Sequence, residues 1–180
     1  AGDQKIDGDI IAIISPHAGY SFSAPIAAFG YKAIQGKDIR LAVIIGFNHA
    51  YAHSGVAVCD YDSYHTPLGD VAIDKGITDA LIKADNRIYP RKEAFSDEQS
   101  TELQIPFVQE ALPGVPVVIL SIGDQSIENC RMLSDALYKV LKGRDDFVII
   151  ASSDMCHYLP YDKNNEVDAY TINALMKFDP

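Results

Sequence analysis

Short unbroken apolar runs alternate with longer amphipathic stretches along this chain. The runs fall at residues 10–15, 41–46, 55–59, 116–122 and 147–152, with a shorter one at 71–73. Continuous Val and Ile, rather than apolar-polar alternation, predicts strands covered on both faces. The stretches between them, at 24–35, 77–84, 127–141 and 166–177, carry helical spacing. In the first of these, Ile26, Phe29 and Ile34 form the packing face. Strands alternating with helices predict an α/β fold, three layers with a largely parallel sheet and helices on both faces. The 55–73 stretch reads as a hairpin, which makes the sheet mixed.

In such sheets ligands sit beyond the carboxyl ends of the strands. The strand at 10–15 runs into Pro16-His17-Ala18-Gly19-Tyr20, and the strand at 41–46 into Phe47-Asn48-His49. The strand at 147–152 runs into Ser153-Asp154-Met155-Cys156-His157-Tyr158. The topology gathers these ends at one edge, which makes His17, His49 and Cys156 neighbours in space. Two imidazoles and a thiolate leave an open position on a metal ion, as catalytic zinc, copper or non-haem iron sites require. Two His and one carboxylate would serve a redox metal equally, with Asp154 and Glu102 as candidate carboxylates. Asp154 and His157 are candidates to orient ligands or relay protons. Against each stands a plainer reading: a loop histidine, an Asx turn at Asn48, an inert buried thiol. Cys59 and Cys130 read as core residues, and His53 and His65 as loop residues rather than ligands. A nucleophilic role for Cys156 is disfavoured, because in extended backbone the adjacent His157 points to the opposite face.

The segment 96–107 carries two readings. Ser96 with Gln99 fits a capping box, and Asp97 and Glu98 suit the positive end of a helix. Glu102 and Gln104 nevertheless interrupt an apolar stretch before Pro106. Gln99 or Glu102 therefore becomes a candidate for reaching the site, with Tyr20 and Asn48 as further candidate substrate contacts.

The chain has 180 residues and a net charge of −10, with 48% hydrophobic and 22% charged residues. That length suits one domain of ordinary globular composition. The negative field repels nucleic acid and anionic membrane. No apolar run approaches a membrane span, and Ala1-Gly2-Asp3 carries no leader pattern. Three widely spaced cysteines suit reduced thiols and a cytoplasmic location. No glycine-rich phosphate loop implies a nucleotide. The expected partner is a small molecule or peptide in the pocket, and a homo-oligomer is compatible with this composition.

Five segments in order resemble the Memo family, which includes the AmmeMemoRadiSam system protein B. Pro16-His17-Ala18-Gly19-Tyr20 resembles its PHAGY signature and Gly46-Phe47-Asn48-His49 its GPNH segment. Thr66-Pro67-Leu68-Gly69 with Asp74 resembles TPLGxxxxD, residues 96–109 resemble DEHSxExQLPFLQ, and residues 152–158 resemble SSDFCHW. The resemblance implies a fold like that of class III extradiol dioxygenases. It also implies iron or copper on His17, His49 and Cys156 for oxidoreductase chemistry or, alternatively, a signalling or binding module using the same pocket. It further implies that residues 1–180 form a single Memo-like domain lacking the family's C-terminal segment. Two positions depart from the pattern: Gln99 stands where the family has His, and Phe47 where it has Pro. Gln99 hydrogen-bonds but cannot transfer protons near neutral pH.

Overall fold

A computed structural model describes residue 6 and residues 8–178. The readings placed on Ala1-Gly2-Asp3 and on Asp179-Pro180 lie outside the described residues. The elements run β1 (Ala12–Ser15), α1 (Tyr20–Ile34), β2 (Leu41–Phe47), β3 (Val56–Val58), β4 (Ser63–Thr66), β5 (Gly69–Ala72), α2 (Lys75–Ala84) and β6 (Ile88–Pro90). After a short 3-10 turn at Lys92–Phe95 come α3 (Gln99–Glu102), α4 (Ile105–Ala111), β7 (Val117–Ile122), α5 (Ile127–Leu141), β8 (Phe147–Ser152) and α6 (Tyr161–Lys177).

Six strands form one sheet in the order β1-β8-β2-β7-β3-β6. β1, β8, β2 and β7 are mutually parallel, β3 runs antiparallel to β7, and β6 is parallel to β3. The sheet is thus mixed and largely parallel, as the apolar runs predict, but the mixing comes from β3. The hairpin is β4–β5, which forms a separate two-stranded sheet. Strands of three or four residues such as β4 and β6 are too short to show a period in the sequence.

Alternate side chains of the central strands feed two cores. Ala42 and Ile44 of β2, with Ile119 and Ile150, pack against Ala27, Tyr31 and Ile34 of α1 and Ile105 and Val108 of α4. Leu41 and Val43, with Val118 and Leu120, pack against Leu81 of α2 and Met132, Leu133 and Leu137 of α5. Removing a buried Leu or Ile side chain from water contributes about 1.5–3 kcal/mol, so both layers hold the sheet. The helix starts that fix these layers are capped. Asp74 accepts from the Ile77 N–H at 3.0 Å, and Ser126 from the Asn129 N–H at 3.3 Å. No described helix is long and apolar enough to cross a membrane.

Three expectations are corrected. Of the face assigned to α1, only Ile34 is buried; Ile26 is 63% and Phe29 52% exposed. The buried stripe is Ser23, Ala27, Tyr31 and Ile34. Small residues let the helix approach the sheet, and the Tyr31 hydroxyl finds a partner inside, so hydrophobicity alone selects the wrong face. Cys130 is exposed, because the inward face of α5 runs through Asn129, Met132, Leu133 and Ala136. The capping box is absent: Glu98, not Ser96, caps α3, accepting from the Ser100 N–H at 2.7 Å.

α3 approaches β2 closely at Gly46. A Cβ there would lie 2.5 Å from Ser100 Oγ and 2.6 Å from Thr101 Cγ2. Gly46→Val is expected to lower stability by about 1–3 kcal/mol, the usual cost of overpacking, as read from the urea-unfolding midpoint.

Candidate functional site

The strand order builds the site. β8 lies between β1 and β2. Its carboxyl end therefore carries Ser152 and Asp154 in between His17, two residues past β1, and His49, two residues past β2. The two imidazoles meet edge to face with ring centroids 5.4 Å apart. His17 is buried, and its backbone N–H donates to Asp154 Oδ1 at 2.8 Å. Asp154 Oδ2 lies 3.6 Å from His17 Nε2 and 3.5 Å from His157 Nε2.

The surrounding hydrogen bonds determine which nitrogen of each ring carries the proton. The Ser152 hydroxyl donates its one hydrogen to the Ser100 carbonyl and accepts from Gln104 Nε2 at 2.9 Å. Its contact with His17 Nδ1 at 3.0 Å therefore requires the ring to donate. His17 carries its proton on Nδ1 and leaves Nε2 bare. Burial is the main force holding the His17 pKa below its ordinary value, against the opposing pull of Asp154. The ring is accordingly neutral near pH 7.

His49 follows the same rule with another partner. Its Nδ1 lies 3.1 Å from Glu98 Oε1, and its backbone N–H donates to Glu98 Oε2. Glu98 is 2% exposed. Burial alone would push its pKa up, but hydrogen bonds from His49 and Ser100 outweigh it and hold the carboxyl below the usual glutamate range. An ionised Glu98 accepts only, so His49 Nδ1 is the donor and Nε2 is the ring nitrogen left for another partner.

The other candidates are placed as follows. Cys156 is half-buried, and its N–H donates to Asp168 Oδ1 at 2.9 Å. Its Sγ lies 4.0 Å from the His157 carbonyl. The thiol borders a cavity of about 480 Å³ shared with Ile14, Val167 and Leu175, under α6. No hydrogen bond joins it to His17 or His49 among the described residues. Asn48 is buried, donating to the Ala94 carbonyl at 2.6 Å and accepting from the Tyr51 N–H, the plainer turn reading. Gln99 is exposed. Tyr20 and Glu102 border a second cavity, of about 300 Å³, together with His65. Among the described residues, no three His, Cys, Asp or Glu side chains are arranged to hold a metal ion.

A family model described as Memo-like protein matches residues 3–180. The chain belongs to the Memo family. It is 35% identical over 173 residues to a MEMO1 family protein of Caldivirga maquilingensis, covering 94% of this chain and 61% of that one. It is 34% identical over 181 residues to one of Thermoplasma acidophilum, covering 98% and 65%, and 34% identical over 189 residues to one of Thermotoga maritima, covering 99% and 68%. The Memo-family chain thus spans less than two thirds of the Caldivirga and Thermoplasma proteins.

Four residues that organise this Memo-family site were not among the candidates: Glu98, Ser100, Gln104 and Ser152. Glu98 was assigned to the helix dipole. The missed signal is Asp97, which adopts φ +59° and turns Glu98 inward; Asp tolerates that conformation better than most residues. Gln104 carried a usable signal, a polar residue inside an apolar run.

Glu98 makes an acid-dependent contribution to stability. Its folded pKa is depressed, so that contribution is complete above the unfolded value of about 4.3 and is lost as pH falls through the folded value. Glu98→Gln is expected to cost about 1–3 kcal/mol at pH 7 and to flatten the fall in stability between about pH 5 and 3, measured by urea unfolding across pH. Ser152→Ala leaves His17 Nδ1, Gln104 and the Ser100 carbonyl each short of a partner. A loss of about 2–4 kcal/mol is expected in the same assay.

Proposed function

We propose that this Memo-family chain holds an iron or copper ion between His17 and His49 for oxidoreductase chemistry on a small molecule. One observation carries the reading: both rings commit Nδ1 to internal partners, leaving the Nε2 atoms of two neighbouring rings for an ion. Metal-bound histidines typically have their other nitrogen fixed in this way. Paired imidazoles fit iron, copper or zinc. The third donor is not in place. Cys156, as it stands, borders the cavity under α6, whereas Asp154 Oδ2 is 3.6 Å from His17 Nε2. When bound, such an ion supplies Lewis-acid or one-electron chemistry.

The chain's own groups have definable tasks. Glu98 and Ser152 fix the ring tautomers. Asp154 Oδ2 faces both the His17 and His157 rings, at 3.6 and 3.5 Å, and orients them. Gln99 takes no part in proton transfer. Unpaired Cys59, Cys130 and Cys156 support a reducing, cytoplasmic setting.

The second reading, a binding or signalling module, is favoured by Gln99 standing where the family has His. Metal analysis after anaerobic purification separates the two. The proposal expects near-stoichiometric iron or copper, falling to background in His17→Ala and His49→Ala, with about 10–100-fold weaker binding in Glu98→Gln. Absence of bound metal, with chelator leaving wild-type stability unchanged, would overturn it.

A further inference from the structure

The hairpin β4–β5 and the bend between α3 and α4 enclose the second cavity, of about 300 Å³. We propose that it is a binding site for a small primary amine carried on an apolar body. Nothing in this depends on a metal at the histidines.

The walls are the ring of Tyr20, Leu68, Leu103 and Pro106. Tyr20 is fixed edge to face on Phe107 at 5.8 Å, and its hydroxyl donates to the Leu103 carbonyl at 3.2 Å. Leu68 is 54% and Tyr20 43% exposed, so the slot presents apolar surface to any occupant. The hairpin is not a loose flap. Thr66 Oγ1 donates to Gln109 Oε1 at 2.6 Å, and Gln109 Nε2 donates to the Gly69 carbonyl at 3.1 Å, which ties it to α4. The cavity is therefore pre-formed, and an occupant need not order it.

Its polar lining chiefly accepts hydrogen bonds. Glu102 borders it, with Oε2 accepting from the Tyr64 hydroxyl at 3.1 Å. Burial and the Glu102 charge push the Tyr64 phenol up, so Tyr64 stays the donor and Glu102 the acceptor. Among the described residues no lysine or arginine pairs with Glu102 or lines the cavity. Glu102 Oε1 remains available. His65, the other polar group at the rim, is paired to Asp70 Oδ1 at 2.7 Å. That pair sums to zero or to one negative charge in either protonation state of the ring, so it does not oppose a cation. An occupant must bring the donors, and an ammonium brings three with the matching charge. The overall charge of −10 favours the same sign of ligand.

The test uses phenethylamine, its neutral counterpart 2-phenylethanol and the anion 3-phenylpropionate, titrated into the purified protein by calorimetry. The amine is expected to bind at least about tenfold tighter than the alcohol, with the anion weakest. Glu102→Gln, at an exposed position, is expected to remove about tenfold of the amine affinity and leave the alcohol unchanged. Leu68→Ser is expected to weaken amine and alcohol alike. Equal binding of the three compounds, no binding of the amine at millimolar concentration, or amine binding unchanged in Glu102→Gln would each overturn the proposal. The last result would assign the attraction to the general negative field instead.

Discussion

The His17 half of the site depends on one group, the Ser152 hydroxyl. It is buried at the end of β8 and satisfies three neighbours at once: the Ser100 carbonyl, the Gln104 amide and the His17 ring. Through Gln104 the network extends to the Pro16 carbonyl at 3.0 Å and the Tyr31 hydroxyl at 2.8 Å. Four elements are thereby held by one oxygen: β8, the turn after β1, α1 and the α3–α4 bend. Inside a low-dielectric core such a network rigidifies only when every member is satisfied. Here each partner found for Ser152 uses a different valence of the hydroxyl, so the proton on His17 is placed by its surroundings and not by the ring's own preference.

Glu98 performs the parallel task for His49, with a charge in place of a hydroxyl. A buried carboxylate is costly unless several donors meet it, and three N–H groups do. The left-handed turn at Asp97 and the bare Cα of Gly46 are the geometric conditions for that meeting. One turns the chain so that Glu98 points inward, and the other lets α3 come close enough. The two histidines therefore both commit Nδ1 to an internal partner, although they are held by unrelated devices.

What the sequence makes legible follows from which interactions are local. The buried strands announce themselves as apolar runs, and the edge beyond the strand ends follows from the fold class, so the proximity of His17, His49 and Asp154 is legible from the sequence. The order of strands is not local. Only the placement of β8 between β1 and β2 makes Ser152 the link between the two histidine loops. Glu98 is hidden for a similar reason: at the start of a four-residue helix, a carboxylate facing solvent and one facing inward have the same sequence pattern. The outward face of α1 misleads in the opposite direction, since Ile26 and Phe29 are more apolar than the Ser23 and Ala27 that are buried.

Cys156 and His17 differ in how firmly they are held, and that difference bears on any ligand set. His17 is buried against β8 and tied through backbone and ring. Cys156 is half-buried, anchored by one hydrogen bond to Asp168 of α6, and α6 itself buries no side chain among the described residues. Moving the His17 ring would break a buried network, and moving the half-exposed His49 ring would leave the buried Glu98 short of a donor. The histidine half of the site is thus fixed through β8 and α3, and the Cys156 half is fixed to α6.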